Sequence, residues 1–542
     1  MQPKKWGIGI IVLILAIALI KYLGWTDSLK LSGSQDHANL YQSETAKPEE
    51  QYKQIPVKLL IKPQNDKKQD PQSAVTREIE RIFNVDIEYV YLDRNKDTAM
   101  LNYRVTAGDI PDIMLLSPEL FSTYVQQEVL AEIPLELIEQ YAPTWLEQLK
   151  LYSQDNILDF YSIAGKLYGL PVITVDSNNF VPIWRDDWLR NVGIEKIPQS
   201  LEEAEEAFYK FVREDPDNNG KADTYALSNF GFQAIYGAFG VQPGIWLERN
   251  GEVRYGSALP EMKQALSLLH RWYKDGLIDP SFITGENKGQ YWAHTVAFWN
   301  GKIGFSVPGT YYHVNPSFDS NVSRDSGSGN WKNFRELQGN PASYEPGMPI
   351  IGPDGHSGTI KWDVISGSAV GFGKDVLLDK RKMIKWLQMI EKLNTDEQYF
   401  RLANFGIEHE MWEISPATGL PTMKNAYQYN KGVIAAGPSG TAFQISNFEM
   451  FRRNTMSEDM LEFASTYAML DNYYTNAVWA LLPSDSKYKA ELDQAVNKTF
   501  IQFITGQKSL DEWDSFVEEL YVRYGLTELT EEANLWFEQY KK

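Results

Sequence analysis

Short apolar runs and amphipathic stretches alternate along the first third of this chain. Val57–Ile61 is a compact apolar run that predicts a strand, and Ala74–Phe83 places Ile79, Ile82 and Phe83 on one helical face. Val85–Tyr91 alternates as a second strand, and Ile113–Leu116 reads as a buried strand preceded by the turn Gly108-Asp109-Ile110-Pro111-Asp112. Strands separated by helices predict an α/β sheet with crossover connections. Further on, Ser200 and Glu203 form a capping-box pair opening a helix through Val212. Met262–Lys274 is amphipathic and closes on Asp275-Gly276, while Val376–Leu393 and Ala490–Phe503 repeat with a helical period. Leu510–Tyr540 predicts two more helices, and Ser326–Gly329 a flexible surface loop. There is no tandem repeat. At 542 residues the chain exceeds one ordinary core, so an interleaved body of at least two lobes is expected.

The amino-terminal pattern is different. Lys4 and Lys5 precede an apolar run from Trp6 to Ile20, followed by Lys21 and a short stretch ending at Trp25. As one helix, Trp6–Trp25 measures about 30 Å, enough to span a bilayer with Lys21 snorkelling and a tryptophan at each interface. A cleavable signal peptide is the alternative, but its small-residue site, Ala16-Ile17-Ala18, lies inside the apolar run rather than after it. Residues 1–25 are therefore expected to be an anchor, with the amino terminus cytoplasmic and the rest outside. Residues 26–54 are polar and aperiodic and predict a flexible tether.

Charge and composition narrow the chemistry. With 72 acidic against 52 basic residues the formal charge is −20, which opposes nucleic acid and anionic membrane surfaces as partners. The absence of cysteine excludes disulfides, thiol catalysis and lipidation at cysteine. Six dispersed histidines give no zinc spacing.

One local motif is specific. Residues 215–223, Asp-Pro-Asp-Asn-Asn-Gly-Lys-Ala-Asp, put oxygen donors at loop positions 1, 3, 5 and 9 and glycine at position 6. This is the spacing of a calcium loop, in which Asp215, Asp217, Asn219 and Asp223 supply side chains, Lys221 its carbonyl, and Gly220 the turn. Position 12 is Ala226 instead of a bidentate glutamate, so a remaining ligand must come from water, Thr224 or a distant carboxylate. A Ca²⁺ here is structural rather than catalytic, the competing reading being a solvated Asx/Gly turn.

Six segments in order carry a family resemblance: Gly108–Asp112, Gly165–Pro171, Trp184–Leu189, Gly276–Pro280, Asn300–Gly304 and Phe405–Glu408. Together with Ile504-Thr505-Gly506 and Leu510-Asp511-Glu512-Trp513-Asp514, the chain from about residue 55 resembles the family 1 extracellular solute-binding proteins of ABC importers, in particular the large Gram-positive type related to alginate-oligosaccharide binders. It departs from them in lacking a lipid-modified cysteine and in carrying His409 where glycine is frequent.

The resemblance implies two α/β lobes joined by hinge strands around an interlobe cleft. Approximate boundaries are 55–174 with 366–450 for one lobe and 175–365 with 451–542 for the other, the chain crossing near Pro171–Asp176 and Val364–Ala369. It implies no enzymatic activity, an oligosaccharide ligand, membrane permease subunits as partners, a monomer, and a place on the extracellular face of the cell membrane. Trp299 and Trp412, next to family motifs, are candidate platforms for sugar rings, with Trp292, Trp184, Tyr311 and Tyr312 behind them; each has core packing as its alternative. Arg185 pairs either with an acidic sugar or with a neighbouring carboxylate, and Glu408 and His409 face either the ligand or water. A secreted carbohydrate-active enzyme, needing two carboxylates across a cleft, and a membrane-tethered sugar sensor are the competing functions.

Overall fold

The computed structural model describes residues 53–540 except 62–71, 92–96, 153–156, 164, 174–178, 285–295, 310–341, 362–364, 417, 425–426, 428–446 and 479–481. The expected anchor, tether and Ser326–Gly329 loop thus lie essentially outside the described residues. Among the described residues no helix is long and apolar enough to cross a membrane.

Five strands form the main sheet: β1 (Ile55–Ile61), β2 (Val85–Tyr91), β3 (Ile113–Leu116), β4 (Gly169–Ile173) and β5 (Ile365–Phe372), in the spatial order β2-β1-β3-β5-β4. β1 runs parallel to both β2 and β3, with Leu59 facing Tyr89 on one side and Ile113 on the other. Both faces of β1 are covered, which is why Val57, Leu59 and Leu60 are all buried. The helix Ala74–Phe83 makes the crossover from β1 to β2. Ser73 caps it by accepting from the Thr76 N–H, and Asn84 ends it at φ 52°, a left-handed position asparagine tolerates. Val75, Ile79 and Phe83 are its buried face.

β5 arrives from far along the chain and lies antiparallel between β3 and β4, Ala369 pairing with Leu116 and with Pro171. A register irregularity between Ile365 and Ala369 bends it where it leaves the sheet. β4 and β5 therefore run out side by side, Ile173 opposite Ile365, as the two strands that connect the lobes.

Two large apolar clusters mark the lobes. The first draws on residues 55–170 and 369–450 and includes Met114, Trp145, Trp386, Phe400 and Trp412. The second draws on 184–350 and 478–533 and includes Trp184, Phe208, Trp272, Phe503 and Trp513. A smaller cluster adds Ile183, Phe298, Tyr344 and Met460 beside the second. In that second lobe Ile183–Trp184 is the middle of a three-stranded sheet, between Phe305–Ser306 and Glu345–Pro346.

The helix expected at Val376–Leu393 divides. Lys374–Leu378 is a 3-10 turn and the α-helix begins at Arg381, because Asp379 leaves helical geometry (φ −141°, ψ 85°) and its carboxylate accepts from the Arg381 N–H. The helix predicted at Ala490–Phe503 extends to Asp485–Thr505, and Trp513–Val522 and Leu526–Tyr540 are the two carboxy-terminal helices.

Candidate functional site

In an open sheet with parallel strands, ligands gather at the carboxyl ends of the strands where the chain order reverses direction. Here that point lies between β1, whose successor β2 is on one side, and β3 on the other. The helix Glu397–Phe405 delivers a loop to the same edge. It packs along Ala74–Phe83 in the opposite sense: Tyr399 meets Phe83 ring to edge at 5.3 Å, while a Cβ on Gly406 would stand 3.5 Å from Val75 Cγ2. The Gly406–Trp412 loop therefore sits beside the start of the helix that follows β1.

Trp412 pins this loop from inside. Its Nε1–H donates to the Gly406 carbonyl at 2.9 Å, and its ring packs near Phe405 with the Arg401 guanidinium 5.9 Å above it. At 2 % exposure it offers no free face in this conformation. Gly406 turns at φ 84°, ψ −150°, open only to glycine, because a Cβ would lie 2.3 Å from Met411 Sδ. His409 takes φ 64°; its N–H donates to the Trp412 carbonyl, and its own carbonyl accepts from Lys424 Nζ at 2.5 Å. Glu408 and His409 are left exposed at the edge. Lys424 had no local signal in the sequence, since its role arises only when the strands Trp412–Ile414 and Pro421–Met423 pair.

The candidates from the other lobe lie apart from these. Arg185 is 2 % exposed and gives a bidentate pair to Asp187, Nε–H to Oδ1 at 2.7 Å and Nη2–H to Oδ2 at 2.6 Å, over the Trp188 ring. Its charge is thus met within the chain. Trp184 is sealed between Phe208 and Phe305. Trp299 ends the short helix Val296–Trp299, while Trp292, Tyr311 and Tyr312 lie outside the described residues.

The loop after helix Leu201–Arg213 closes on itself. That helix opens with the expected capping box, the Glu203 N–H donating to Ser200 Oγ and the Ser200 N–H to Glu203 Oε2, both at 3.1 Å. It delivers Asp215, which accepts from the N–H groups of Asn219 and Gly220, while the Asn219 amide donates to Asp217 at 2.7 Å and Asp223 at 3.1 Å. Gly220 takes φ 77°. Burial and then the neighbouring Asp215 and Asp223 raise the Asp217 carboxyl above its ordinary pKa, the signature of carboxylates crowded without a counter-charge. The Thr224 side chain is buried, and its hydroxyl donates to the Phe211 carbonyl at 2.7 Å. Among the described residues no group of three or more His, Asp or Glu side chains is arranged to hold a metal. The donor types and the turn nevertheless fit a calcium loop, and turning the Asn219 amide would offer its oxygen in place of its NH₂.

The architecture is that of a two-lobe solute-binding protein, and the comparisons agree. Residues 74–316 match the bacterial extracellular solute-binding protein family, so the resemblance seen in the sequence is borne out. Among curated relatives, the polygalacturonan/rhamnogalacturonan-binding protein YtcQ of Bacillus subtilis (strain 168) is 25% identical over 315 residues, a match covering 56% of this chain and 57% of that one. Among solved structures, the S. pneumoniae ABC-transporter substrate-binding protein FusA in complex with kestose superposes with TM-score 0.65 at 16% identity, over 90% of this chain and 99% of that one. The alginate-binding protein AlgQ2 without calcium ion superposes with TM-score 0.62 at 17% identity, over 90% and 98%. At these identities the structures speak for the fold.

Proposed function

We propose that the protein is the extracellular receptor of an ABC importer, capturing an oligosaccharide between its lobes and presenting it to permease subunits. One observation carries this reading: β4 and β5 leave the first lobe together at the edge where the Gly406–Trp412 loop presents Glu408 and His409. Two adjacent strands make a hinge, and a solute touching both lobes favours the closed state over the open one. Carbohydrate as the ligand follows the names of the relatives, and binding without conversion follows their family. Trp299 and Trp292 supply ring faces from the second lobe, with Glu408 and His409 hydrogen-bonding hydroxyls from the first. The receptor works as a monomer tethered by Trp6–Trp25, and a structural Ca²⁺ occupies the Asp215–Asp223 loop.

Calorimetry against plant and bacterial oligosaccharides, with solution scattering on the same samples, tests this. Binding accompanied by compaction and recovery of intact sugar is expected. Recovery of cleaved sugar points instead to an enzyme.

A further inference from the structure

The amino ends of β1, β2 and β3 form the edge of the first lobe opposite its ligand-gathering edge. Gly373, the residue after β5, reaches the same level: its N–H donates to the Asp112 carbonyl at 3.0 Å, and the Asp112 carboxylate accepts from the Lys58 N–H at 2.7 Å. The chain then turns through Lys374–Leu378 before the helix that begins at Arg381. Val376 fixes this turn in the core, while Leu377 and Leu378 are left outside it at 47 % and 89 % exposure. Leu378 is the most exposed large apolar side chain among the described residues. Across the Gly108–Asp112 turn, the helix Asp97–Thr106 adds Tyr103, 77 % exposed, beside an open groove of about 530 Å³ that Met100, Arg104 and Asp109 also line.

A single exposed apolar residue is ordinary, and what sets these leucines apart is where the rest of the chain joins the molecule. β1 begins at Ile55 on this same edge, with only β3 between it and β5, a separation of about 10 Å. The expected anchor, Trp6–Trp25, and the expected tether, residues 26–54, therefore connect at the edge that carries Leu377 and Leu378. As the coil its composition predicts, a tether of that length spans roughly 30 Å. A contact too weak to hold a free protein on a bilayer is populated when the bilayer is kept that close.

We infer that Leu377 and Leu378 dip into the phospholipid surface that holds the anchor, so that the first lobe rests on the membrane with its ligand-gathering edge toward the medium. The inference rests on the tethered-receptor reading above. Lys374 and Lys380 bracket the leucines, are exposed, and are placed to meet headgroup phosphates. Arg381 and Lys382 are committed to Asp379 and Asp112. The net charge of −20 opposes anionic lipid, but screening limits its reach to about 8–10 Å, and from Lys374 to Lys385 five basic residues stand against two acidic ones. Tyr103, with an apolar ring and a polar hydroxyl, suits the same interfacial layer.

The chain has no cysteine, so Asp375→Cys beside the leucines and Val522→Cys, 79 % exposed on the second lobe, each give one site for a bimane label. Each full-length protein is reconstituted into phosphatidylcholine/phosphatidylglycerol vesicles containing a doxyl-labelled lipid, which quenches bimane on contact. Quenching is expected at 375 and not at 522. Adding Leu377→Ser and Leu378→Ser should abolish quenching at 375 while the protein still floats with the vesicles and keeps its unfolding midpoint. Three results overturn the inference alone, in protein that floats: equal quenching or none at the two sites, quenching at 375 that survives both serine substitutions, and shielding that follows protein concentration instead of doxyl lipid, which assigns the leucines to a second copy. Protein that does not float with the vesicles overturns it together with the anchor.

Discussion

Phe160 and Trp536 meet with ring centroids 5.2 Å apart and planes at 42°, and each is held by a different lobe. Phe160 belongs to the turn Ile157–Tyr161, fixed to the first lobe by buried Ile157 and by the Tyr161 hydroxyl donating to the Ser368 carbonyl on β5. Trp536 rides on Leu526–Tyr540, fixed to the second lobe by Leu529, Ala533 and the Asn534 amide, which exchanges hydrogen bonds with Val253. The turn packs beside β4, the outermost strand, so the hinge pair separates this contact from the β1/β3 edge. A rotation that brings the lobes together at that edge is expected to draw Phe160 and Trp536 apart.

Trp536→Ala is therefore expected to tighten solute binding. An aromatic pair contributes about 0.5–1.5 kcal/mol, and loss of that amount from the open state raises apparent affinity roughly 2- to 12-fold. Calorimetry decides it: weaker binding would put the contact on the side that closes.

For the Asp215–Asp223 loop, calcium at about 100 times its dissociation constant should add roughly 2.7 kcal/mol of stability. Asp217→Ala should abolish most of this while relieving the crowding with Asp215 and Asp223 in the metal-free protein. The expected outcome is a variant that melts at or above the chelated wild-type temperature and no longer responds to calcium. Melting curves in chelator and in calcium provide the check.

The Gly406–Trp412 loop should fail in two distinguishable ways. Gly406→Ala forces a Cβ against Met411 Sδ and loses the φ 84° turn, destabilising by about 1–3 kcal/mol and displacing Glu408 and His409. Trp412→Phe keeps most of the packing but removes the bond to the Gly406 carbonyl, so it should cost about 1 kcal/mol and weaken solute binding mildly. Denaturant unfolding alongside calorimetry separates the effects.

Acid should loosen the helix that leads into that loop. Burial acts to raise the Asp396 carboxyl, but the Lys392 ammonium at 2.6 Å and the N–H groups of Tyr399 and Gln398 outweigh it and hold the pKa below its ordinary value. A depressed folded-state pKa gives stability that is complete above the unfolded value of about 3.9 and is lost as pH falls through the folded one. Asp396→Ala should thus cost about 1 kcal/mol near neutral pH, with the difference from wild type shrinking below about pH 4. Unfolding midpoints across that range measure it.

The parallel core was legible because its signals are local: apolar runs at β1, β2 and β3, and caps and apolar spacing in the helices between them. The calcium spacing was legible for the same reason, but the diversion of the Thr224 hydroxyl to the Phe211 carbonyl was not, because it depends on how the loop returns to its helix. Trp412 and Trp184 show the limit most clearly. Whether a tryptophan lines a cleft or fills a core is decided by partners such as Gly406, Phe208 and Phe305, which no neighbour in sequence announces.

The placement of β5 between β3 and β4 also sets a timetable. Ile173 and Ile365 are some 190 positions apart, so at about 5–20 residues per second a growing chain exposes the unpaired edges of β3 and β4 for roughly 10–40 s before their partner exists. Until then the first lobe has neither its complete sheet nor the helices Arg381–Thr395 and Glu397–Phe405 that cover it, and a fragment ending before Ile365 should aggregate instead of folding. Biogenesis of this chain should therefore depend on the nascent first lobe being kept unfolded or shielded while nearly all of the second lobe's first segment is made.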